Sequence, residues 1–299
     1  MPVAGGKGYG NRLNQLSSPF GICVDRRDQT IYIADCYNAR IVEKRSDTDN
    51  GRIVAGGKEP GNQINQLNQP IDVIIDYQDN SLIIADQGNR RVIRQYRHSS
   101  SNIEILISNI DCAGLTMHKD GTLYVSDCVK NEVKRWKKGE IDGTVVVGGS
   151  GQGDNRQQLN YPTYLFVDDE HNLYISDTKN HRVVKWMAGA KEGIVVAGGN
   201  GEGESVRHLP FPQGVKVDPF GRIFVVDYKN DRVMQWYEGA KEGTVVLDGK
   251  NRTEQGNPLF SPVSLSFDHQ GNLYVADYEN FGIQKFEIVD NVHEIKREH

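Results

Sequence analysis

Residues 212–249 read PQGVKVDPFGRIFVVDYKNDRVMQWYEGAKEGTVVLDG, and this stretch decides the fold. It contains four short strand-like runs, at 215–217, 223–226, 233–236 and 245–247, with polar turn residues between them. Such a succession of short runs and turns is typical of an antiparallel meander of four strands. One meander cannot bury both of its faces, so the stretch predicts neighbouring units of the same kind.

The neighbouring units are present, because the aspartate that ends the second run recurs along the chain. It stands at Asp35, Asp86, Asp127, Asp177, Asp227 and Asp277, with gaps of 51, 41, 50, 50 and 50 residues. An apolar run precedes each aspartate, and a turn and a further run follow it. Six units of about four strands, without a helical period of 3.6 residues, predict an all-β, six-bladed β-propeller of four-stranded antiparallel blades.

The two ends of the chain predict how the ring closes. Residues 1–6, MPVAGG, match the fourth run of other units, such as VAGG at 54–57 and 196–199, whereas the last unit has only three clear runs. We therefore expect the N-terminal strand to complete the last blade, which removes an exposed sheet edge. The predicted single domain covers 1–289, with a polar tail at 290–299. Its blades lie approximately at 17–57, 68–108, 110–149, 160–199, 210–249, and 260–289 together with 1–6.

A motif of the form P-x-G-x-x-x-D, then L-Y-V-A-D, then x-x-N-x-R-V recurs in these units. Its best copies run from Pro19 to Arg40 and from Pro212 to Arg232. This pattern resembles the NHL repeat, and residues 3–289 resemble a six-bladed NHL-type propeller. Three residues stand where the repeat has glycine: Asp72, Tyr164 and Ser264. The resemblance implies an interaction scaffold, although related propellers include amidating lyases with zinc-binding histidines and RNA-binding domains of tripartite-motif proteins.

Composition limits the classes of function. The chain has 299 residues, of which 37% are hydrophobic and 25% charged, which is ordinary for a soluble protein. Its formal charge of −5 disfavours general nucleic-acid binding. No run of 18 apolar residues and no signal-peptide pattern is found in the sequence. We expect a monomeric module or part of a larger chain, and the compartment stays open.

Two features bear on an extracellular location. Counting back from the turn at 119–121 places Met117 opposite Leu123 and, in the same register, Cys112 opposite Cys128. Directly opposed strand residues lie close to disulfide range, so either a Cys112–Cys128 disulfide or two free thiols is expected. Cys23 and Cys36 are not in register, and both are expected to be free. Asn251 begins an N-glycosylation sequon in a predicted loop.

The six recurring aspartates have two interpretations. An asparagine follows most of them after three residues, and an arginine follows four of them after five residues. Aspartate and asparagine accept hydrogen bonds from turn backbone, and arginine pairs with carboxylates. They could form a ring of recognition residues, but repetition in every blade favours structural turn aspartates.

Departures from the repeat predict the binding site. In a meander the connectors between blades and the turns between second and third strands share one face, which we call the top face. The residues that follow the proline of each blade should line the channel mouth on that face. From them we predict a binding set of Phe20, Asp72, Thr163, Tyr164, Gln213 and Ser264, since a site needs a few polar groups in an apolar hollow. Alternatively, these side chains simply fill space.

A second series of acidic residues ends the innermost strands, at the opposite, bottom face. It comprises Asp25, Asp76, Asp168, Asp218 and Asp268, with His118 at the equivalent position of blade three. A ring of carboxylates could bind a cation, but each residue is also suited to a hairpin turn. The eight histidines form no equivalent set. We therefore predict no metal and no other cofactor.

The sequence favours a non-enzymatic scaffold that binds a protein or peptide through its top face and channel mouth. The alternative is a metal-dependent hydrolase or lyase with an axial cation, for which Asp72, His118 and Asp268 are the available donors. A lesser alternative is RNA binding, which would draw on basic residues that this acidic chain does not concentrate.

Overall fold

The computed structural model describes residues 2–99, 102–249 and 258–288. Over these residues the chain forms 24 β-strands in six four-stranded sheets, and all neighbouring strands within a sheet are antiparallel. The innermost strand of each sheet contacts the innermost strands of the two adjacent sheets, so the six sheets form a closed ring. The predicted all-β, six-bladed propeller is confirmed.

The strand bounds show one pattern repeated six times. Blade one comprises β2 (Pro19–Val24), β3 (Ile31–Asp35), β4 (Arg40–Lys44) and β5 (Arg52–Gly56). Blade two comprises β6 (Pro70–Asp76), β7 (Ser81–Asp86), β8 (Arg91–Tyr96) and β9 (Ile103–Ser108). Blade three comprises β10 (Cys112–Met117), β11 (Leu123–Asp127), β12 (Glu132–Trp136) and β13 (Thr144–Gly148). Blade four comprises β14 (Pro162–Val167), β15 (Leu173–Asp177), β16 (Arg182–Trp186) and β17 (Ile194–Gly198). Blade five comprises β18 (Pro212–Val217), β19 (Ile223–Asp227), β20 (Arg232–Trp236) and β21 (Thr244–Asp248). Blade six comprises β22 (Pro262–Phe267), β23 (Leu273–Asp277) and β24 (Gly282–Phe286), with β1 (Pro2–Gly5) as its outermost strand.

The N-terminal strand closes the ring as the sequence predicted. β1 pairs antiparallel with β24, with Ala4 opposite Ile283 and Gly5 opposite Gly282. The edge that β24 would otherwise expose is therefore covered by a strand from the other end of the chain. The helical content of the described residues is four 3₁₀ turns of three residues: Cys36–Asn38, Gln87–Asn89, Thr178–Asn180 and Tyr228–Asn230.

The hydrophobic core lies between blades rather than within them. Each of six buried clusters joins residues of adjacent blades, so that the two faces of every sheet are covered by its neighbours. Trp136, Trp186 and Trp236 occupy equivalent third-strand positions and are buried, as expected for packing residues. No helix among the described residues is both long and apolar enough to cross a bilayer.

The register expected for Cys112 is wrong by one residue. Met117 does pair with Leu123, but a β-bulge lies between Cys112 and Leu115 and brings Cys112 opposite Asp127 instead of Cys128. Both thiols are free: the Cys112 thiol contacts the Arg91 carbonyl oxygen at 3.4 Å, and the Cys128 thiol contacts the Asp111 carbonyl oxygen at 3.3 Å. Cys23 and Cys36 are also free. The Asn251 sequon and the tail at 290–299 lie outside the described residues.

Candidate binding sites on the two faces

The recurring aspartates fasten the top connectors to the blades. In blade one, Asp35 accepts hydrogen bonds from the backbone N–H of Ser17 at 2.6 Å, from Asn38 at 2.8 Å and from Arg40 at 2.6 Å. Arg40 also donates to three connector carbonyl oxygens, those of residues 11, 12 and 15. The asparagine and arginine contacts recur around Asp86, Asp177 and Asp227, and the backbone N–H contact recurs around Asp86 and Asp177. These partners lie within the blade and its connector, so this hydrogen-bond network stabilises the fold.

Where the repeat changes, the network changes with it. In blade three the asparagine and arginine are replaced by Lys130 and Glu132, and Asp127 Oδ2 is buried without a hydrogen-bond partner. In blade six, where the arginine is replaced by Gly282, Gln284 donates to Asp277 instead. Each departure from the repeat therefore changes the hydrogen bonds of the recurring aspartate in its own blade.

The three residues that replace glycine fill space beside the glycines of preceding blades. A Cβ atom on Gly21 would lie 2.6 Å from the Cα of Asp72, and one on Gly114 would lie 2.8 Å from the Cα of Tyr164. A Cβ atom on Gly214 would likewise lie 2.9 Å from the Cα of Ser264. Blades one, three and five thus carry glycine where blades two, four and six carry a side chain. This alternation lets the innermost strands approach closely.

Asp72 and Tyr164 form a buried polar layer in the channel. Asp72 accepts hydrogen bonds from the backbone N–H groups of Val73 at 2.9 Å and Leu115 at 2.8 Å. Burial nevertheless raises the pKa of Asp72 to about 7. Burial also raises the pKa of Tyr164, whose hydroxyl lies beside Ser264 and 3.5 Å from the Ile71 carbonyl oxygen.

Lys216 is a basic group that interacts electrostatically with Asp72. Its side chain is half-buried, and burial lowers the pKa of its amine while the Asp72 carboxylate opposes that shift. The Nζ atom of Lys216 lies 5.8 Å from the ring centre of Phe166. The channel interior therefore holds an acid and an amine whose pKa values are shifted towards each other by burial.

The predicted mouth residues do not form an open hollow. Four of the six are buried: Asp72, Thr163, Tyr164 and Ser264. The Thr163 hydroxyl is hydrogen-bonded to the Thr178 hydroxyl at 2.7 Å. Phe20 and Gln213 are half-buried and are the two members of the set that keep substantial surface. Four members of the predicted binding set are therefore covered, and two reach the surface.

An aromatic patch on the top face joins the first and last blades. We define it as Tyr9, Phe20, Tyr37, Tyr278 and Phe281. Tyr9 packs edge-on against Phe281 with ring centres 5.6 Å apart, and Phe20 packs edge-on against Tyr278 at 5.3 Å. The Tyr278 hydroxyl lies 3.5 Å from the Tyr37 hydroxyl. Tyr9 and Tyr37 are 64% and 55% exposed, so the rings support one another while presenting surface to solvent.

The bottom end of the channel opens into a depression of about 750 Å³. Apolar side chains such as Met117, Phe166 and Val217 and polar residues of the bottom hairpins line it. The acidic residues at this end are already engaged: Asp25 with Arg97 at 2.8 Å, Asp76 with Arg94 at 3.1 Å, Asp168 with Asn172 at 2.9 Å, Asp218 with Arg222 at 2.5 Å, and Asp268 with Asn272 at 2.8 Å. They stabilise hairpins and do not present a free ring of oxygen ligands.

One group of metal-type donors is found among the described residues, at the edge of this bottom face. His118 Nδ1 lies 2.8 Å from Asp120 Oδ1, and His171 Nε2 lies 3.5 Å from Asp120 Oδ2. The sequence placed His118 at the end of an innermost strand but did not bring it together with His171. The missed signal was that both histidines depart from the repeat at hairpin positions of adjacent blades.

Comparisons with known proteins give the fold alone. No family model matches the chain, and no curated protein matches it. Among solved structures it is similar to an auxiliary nutrient binding protein from Bacteroides thetaiotaomicron, at 14% identity over 96% of this chain and 75% of the other, with a TM-score of 0.73.

Two enzymes share the same fold. One is a gluconolactonase from Xanthomonas campestris, at 14% identity over 92% of this chain and 87% of the other, with a TM-score of 0.64. The other is virginiamycin B lyase from Staphylococcus aureus, at 14% identity over 93% of this chain and 87% of the other, with a TM-score of 0.59. Binding proteins and enzymes both occur on this fold, so the fold does not decide between them.

Proposed function

We propose that the chain is an NHL-type, non-enzymatic interaction module that binds a protein or peptide partner through its top face. The observation that carries this proposal is the aromatic patch of Tyr9, Phe20, Tyr37, Tyr278 and Phe281. Tyrosine and phenylalanine are enriched in protein interfaces because they bury a large area at a small entropic cost.

The patch has the physical properties of a binding surface. Four of its five rings are held by edge-on contacts, so these four have less side-chain freedom to lose when a partner covers them. The hydroxyls of Tyr37 and Tyr278 can exchange their mutual contact for hydrogen bonds to a partner's backbone. A polypeptide segment with apolar side chains therefore matches the chemistry of this surface.

The predicted channel mouth contributes to this site differently than the sequence suggested. Phe20 belongs to the patch itself, whereas Asp72, Thr163, Tyr164 and Ser264 are buried below the rim. These four residues would support the floor of the channel rather than contact a partner. The proposed partner lies across the top face and does not thread into the axis.

The alternative, a metal-dependent hydrolase or lyase with an axial cation, has less geometric support. The fold similarity to a lyase and a gluconolactonase keeps an enzyme in consideration. However, Asp72 accepts two backbone N–H groups, Asp268 is bound to Asn272, and His118 faces Asp120. These three donors do not converge on the axis. The formal charge of −5 also gives RNA binding no support.

Selection from a random peptide library displayed on phage tests the proposal. Peptides enriched on the full chain should lose at least tenfold in affinity, or about 1.4 kcal/mol, on a Tyr9→Ala/Tyr37→Ala variant. The matched control is Phe220→Ala, which removes a ring that is 74% exposed on a bottom hairpin. Failure to enrich any peptide, or equal binding by wild type and the top-face variant, would refute the proposed site.

A further inference from the structure

Two histidines and an aspartate meet where the bottom hairpins of blades three and four adjoin. The His118 and His171 rings lie against each other with centres 3.7 Å apart and planes tilted by 38°, and both present a nitrogen to the Asp120 carboxylate. The two nitrogen–oxygen distances are 2.8 and 3.5 Å. Neighbouring ligands of a tetrahedral zinc ion stand about 3.3 Å apart, given zinc–nitrogen distances near 2.0–2.1 Å. The two observed nitrogen–oxygen distances lie on either side of that value.

His118 replaces an aspartate found at the end of the innermost strand in the other five blades, and His171 stands where three blades have glycine and blades one and two have Gln29 and Asn80, also at positive φ. At the last position of the hairpin, blades three, five and six have glycines with φ of 89°, 78° and 83°: Gly121, Gly221 and Gly271. Blade four has His171 there, at φ 64°. A side chain in this left-handed conformation costs energy relative to glycine, so His171 is placed against local backbone preference.

The second nitrogen of each ring is fixed by another group. His118 Nε2 faces the Asp169 carbonyl oxygen at 3.3 Å, and since a carbonyl only accepts, the ring proton belongs on Nε2. His118 Nδ1 then carries the lone pair; it accepts the backbone N–H of Asp120 at 3.4 Å and faces the carboxylate of the same residue at 2.8 Å, where a cation would meet a nitrogen and an oxygen donor together. His171 Nδ1 is hydrogen-bonded to the Tyr124 hydroxyl at 2.8 Å. Such outer partners are typical of metal-binding histidines.

We propose that His118, Asp120 and His171 form a binding site for a divalent transition-metal ion of the zinc type. Two imidazoles and one carboxylate suit zinc and its first-row neighbours, whereas calcium and magnesium prefer oxygen ligands alone. Three protein ligands leave one coordination position for water or another ligand. Because His118 also lines the bottom depression, the ion would sit at the edge of a cavity of about 750 Å³.

This site is independent of the proposed top-face function. The aromatic patch and the histidine pair are at opposite ends of the strands, and they share no residue. Loss of metal binding would leave peptide capture unchanged, and loss of peptide capture would leave metal binding unchanged. The two proposals can therefore fail separately.

Equilibrium titration of the tag-free full chain with Zn²⁺ tests the site, with Co²⁺ absorption as a probe of coordination. We expect one saturable ion per chain. Affinity should fall at least tenfold in His171→Gly and roughly tenfold or more in Tyr124→Phe, which removes an outer partner. His269→Ala, which removes an exposed histidine from the blade-six hairpin, is the matched control and should bind like wild type.

The His171→Gly variant introduces the residue that three equivalent hairpins carry and relieves a positive φ, so its urea-unfolding midpoint without metal should be no lower than that of the wild type. Three results would overturn the proposal: no saturable binding by the wild type, equal affinity in His171→Gly, or the same loss in His269→Ala. The last two results would mark binding by scattered surface histidines. Retained affinity in Tyr124→Phe would overturn the assigned outer partner.

Discussion

At the scale of single residues, the stability of this propeller depends on which hydrogen-bond partners each buried aspartate has. In four blades a connector residue donates its backbone N–H to the recurring aspartate. The donors are Ser17, Asn68, Asn160 and Phe260, at distances of 2.6, 2.7, 2.7 and 2.9 Å. The equivalent residue in blade five is Pro210, which has no N–H. Asp227 Oδ1 is accordingly buried without a partner.

Replacing Pro210 with alanine should restore this hydrogen bond. A hydrogen bond to a charged group contributes about 1.5–3 kcal/mol, and the lost rigidity of proline costs about 0.4–1 kcal/mol. We expect the free energy of unfolding to rise by about 1 kcal/mol in urea titrations. The control Pro219→Ala, in an exposed hairpin, should lower it slightly. A loss of stability in Pro210→Ala would contradict this account of Asp227.

The buried Asp72 predicts a pH-dependent stability. Burial raises its folded-state pKa to about 7, above its usual value of 3.8, so the folded protein holds this proton more tightly than the unfolded chain. The stabilising contribution is complete below pH 3.8 and is lost as pH rises through about 7. From pH 5 to 7.5 the loss is about 2.5 kcal/mol by proton linkage.

An Asp72→Asn variant tests this linkage through the slope of stability with pH, because the amide also alters hydrogen bonds at every pH. The free energy of unfolding should fall less steeply between pH 5 and 7.5 in Asp72→Asn than in the wild type. Asp142→Asn, at an exposed position, should keep the wild-type slope. Identical slopes for Asp72→Asn and the wild type would show that Asp72 is ionised throughout this range.

At the scale of elements, arginines at the start of third strands bind the connectors. Arg91 pairs with the buried Asp86 at 2.7 Å and donates to the carbonyl oxygens of residues 62, 63 and 66. Its neighbour Arg90 pairs with Asp111 at the surface, where its side chain is 53% exposed. Two adjacent arginines therefore make ion pairs in very different environments.

Removing Arg91 should destabilise the protein far more than removing Arg90. Arg91→Ala leaves Asp86 buried and without its charge partner, which costs about 3–5 kcal/mol. Arg90→Ala removes an exposed pair worth at most about 1 kcal/mol. Urea unfolding measures both, and hydrogen exchange of residues 58–69 should accelerate only in Arg91→Ala. Similar small effects for both variants would mean that the contacts of Arg91 with Asp86 and the connector contribute little to stability.

At the scale of the whole molecule, the fold was largely predictable because the repeat and the chain ends are encoded locally. The recurring aspartates mark six repeats, and residues 1–6 match the strand that the last repeat lacks. The register at Cys112 could not be predicted, because a bulge adds one residue to the strand without a change in hydrophobic pattern. The burial of Asp72, Tyr164 and Ser264 could not be predicted either, because it depends on the distances between adjacent innermost strands.

The candidate sites were less predictable than the fold, because their residues come from different blades. The aromatic patch joins residues from the two ends of the chain, such as Tyr37 and Tyr278, which only ring closure brings together. The histidine pair joins hairpins of adjacent blades. In both cases the contributing residues were visible in the sequence, but their contacts depend on how blades pack against one another.

Ring closure itself can be tested by deleting residues 1–6. The variant loses three paired positions of β1 and exposes the edge of β24, so its stability should fall by about 3 kcal/mol or more at roughly 1 kcal/mol for each lost hydrogen bond. It should also self-associate in size-exclusion chromatography. A synthetic peptide of residues 1–8 should rescue the variant and should not bind the full chain. An unchanged monomeric variant would contradict closure by β1.

The most direct test of the proposed function is hydrogen exchange of the full chain with and without a selected peptide. Binding at the aromatic patch predicts slower exchange in residues 7–18, in the turn at 36–39 and in the turn at 278–281. The bottom hairpins at 118–122 and 168–172 should exchange at the same rate in both states. Protection confined to the bottom hairpins, or absent from the three top segments, would contradict the assignment of the top face as the binding surface.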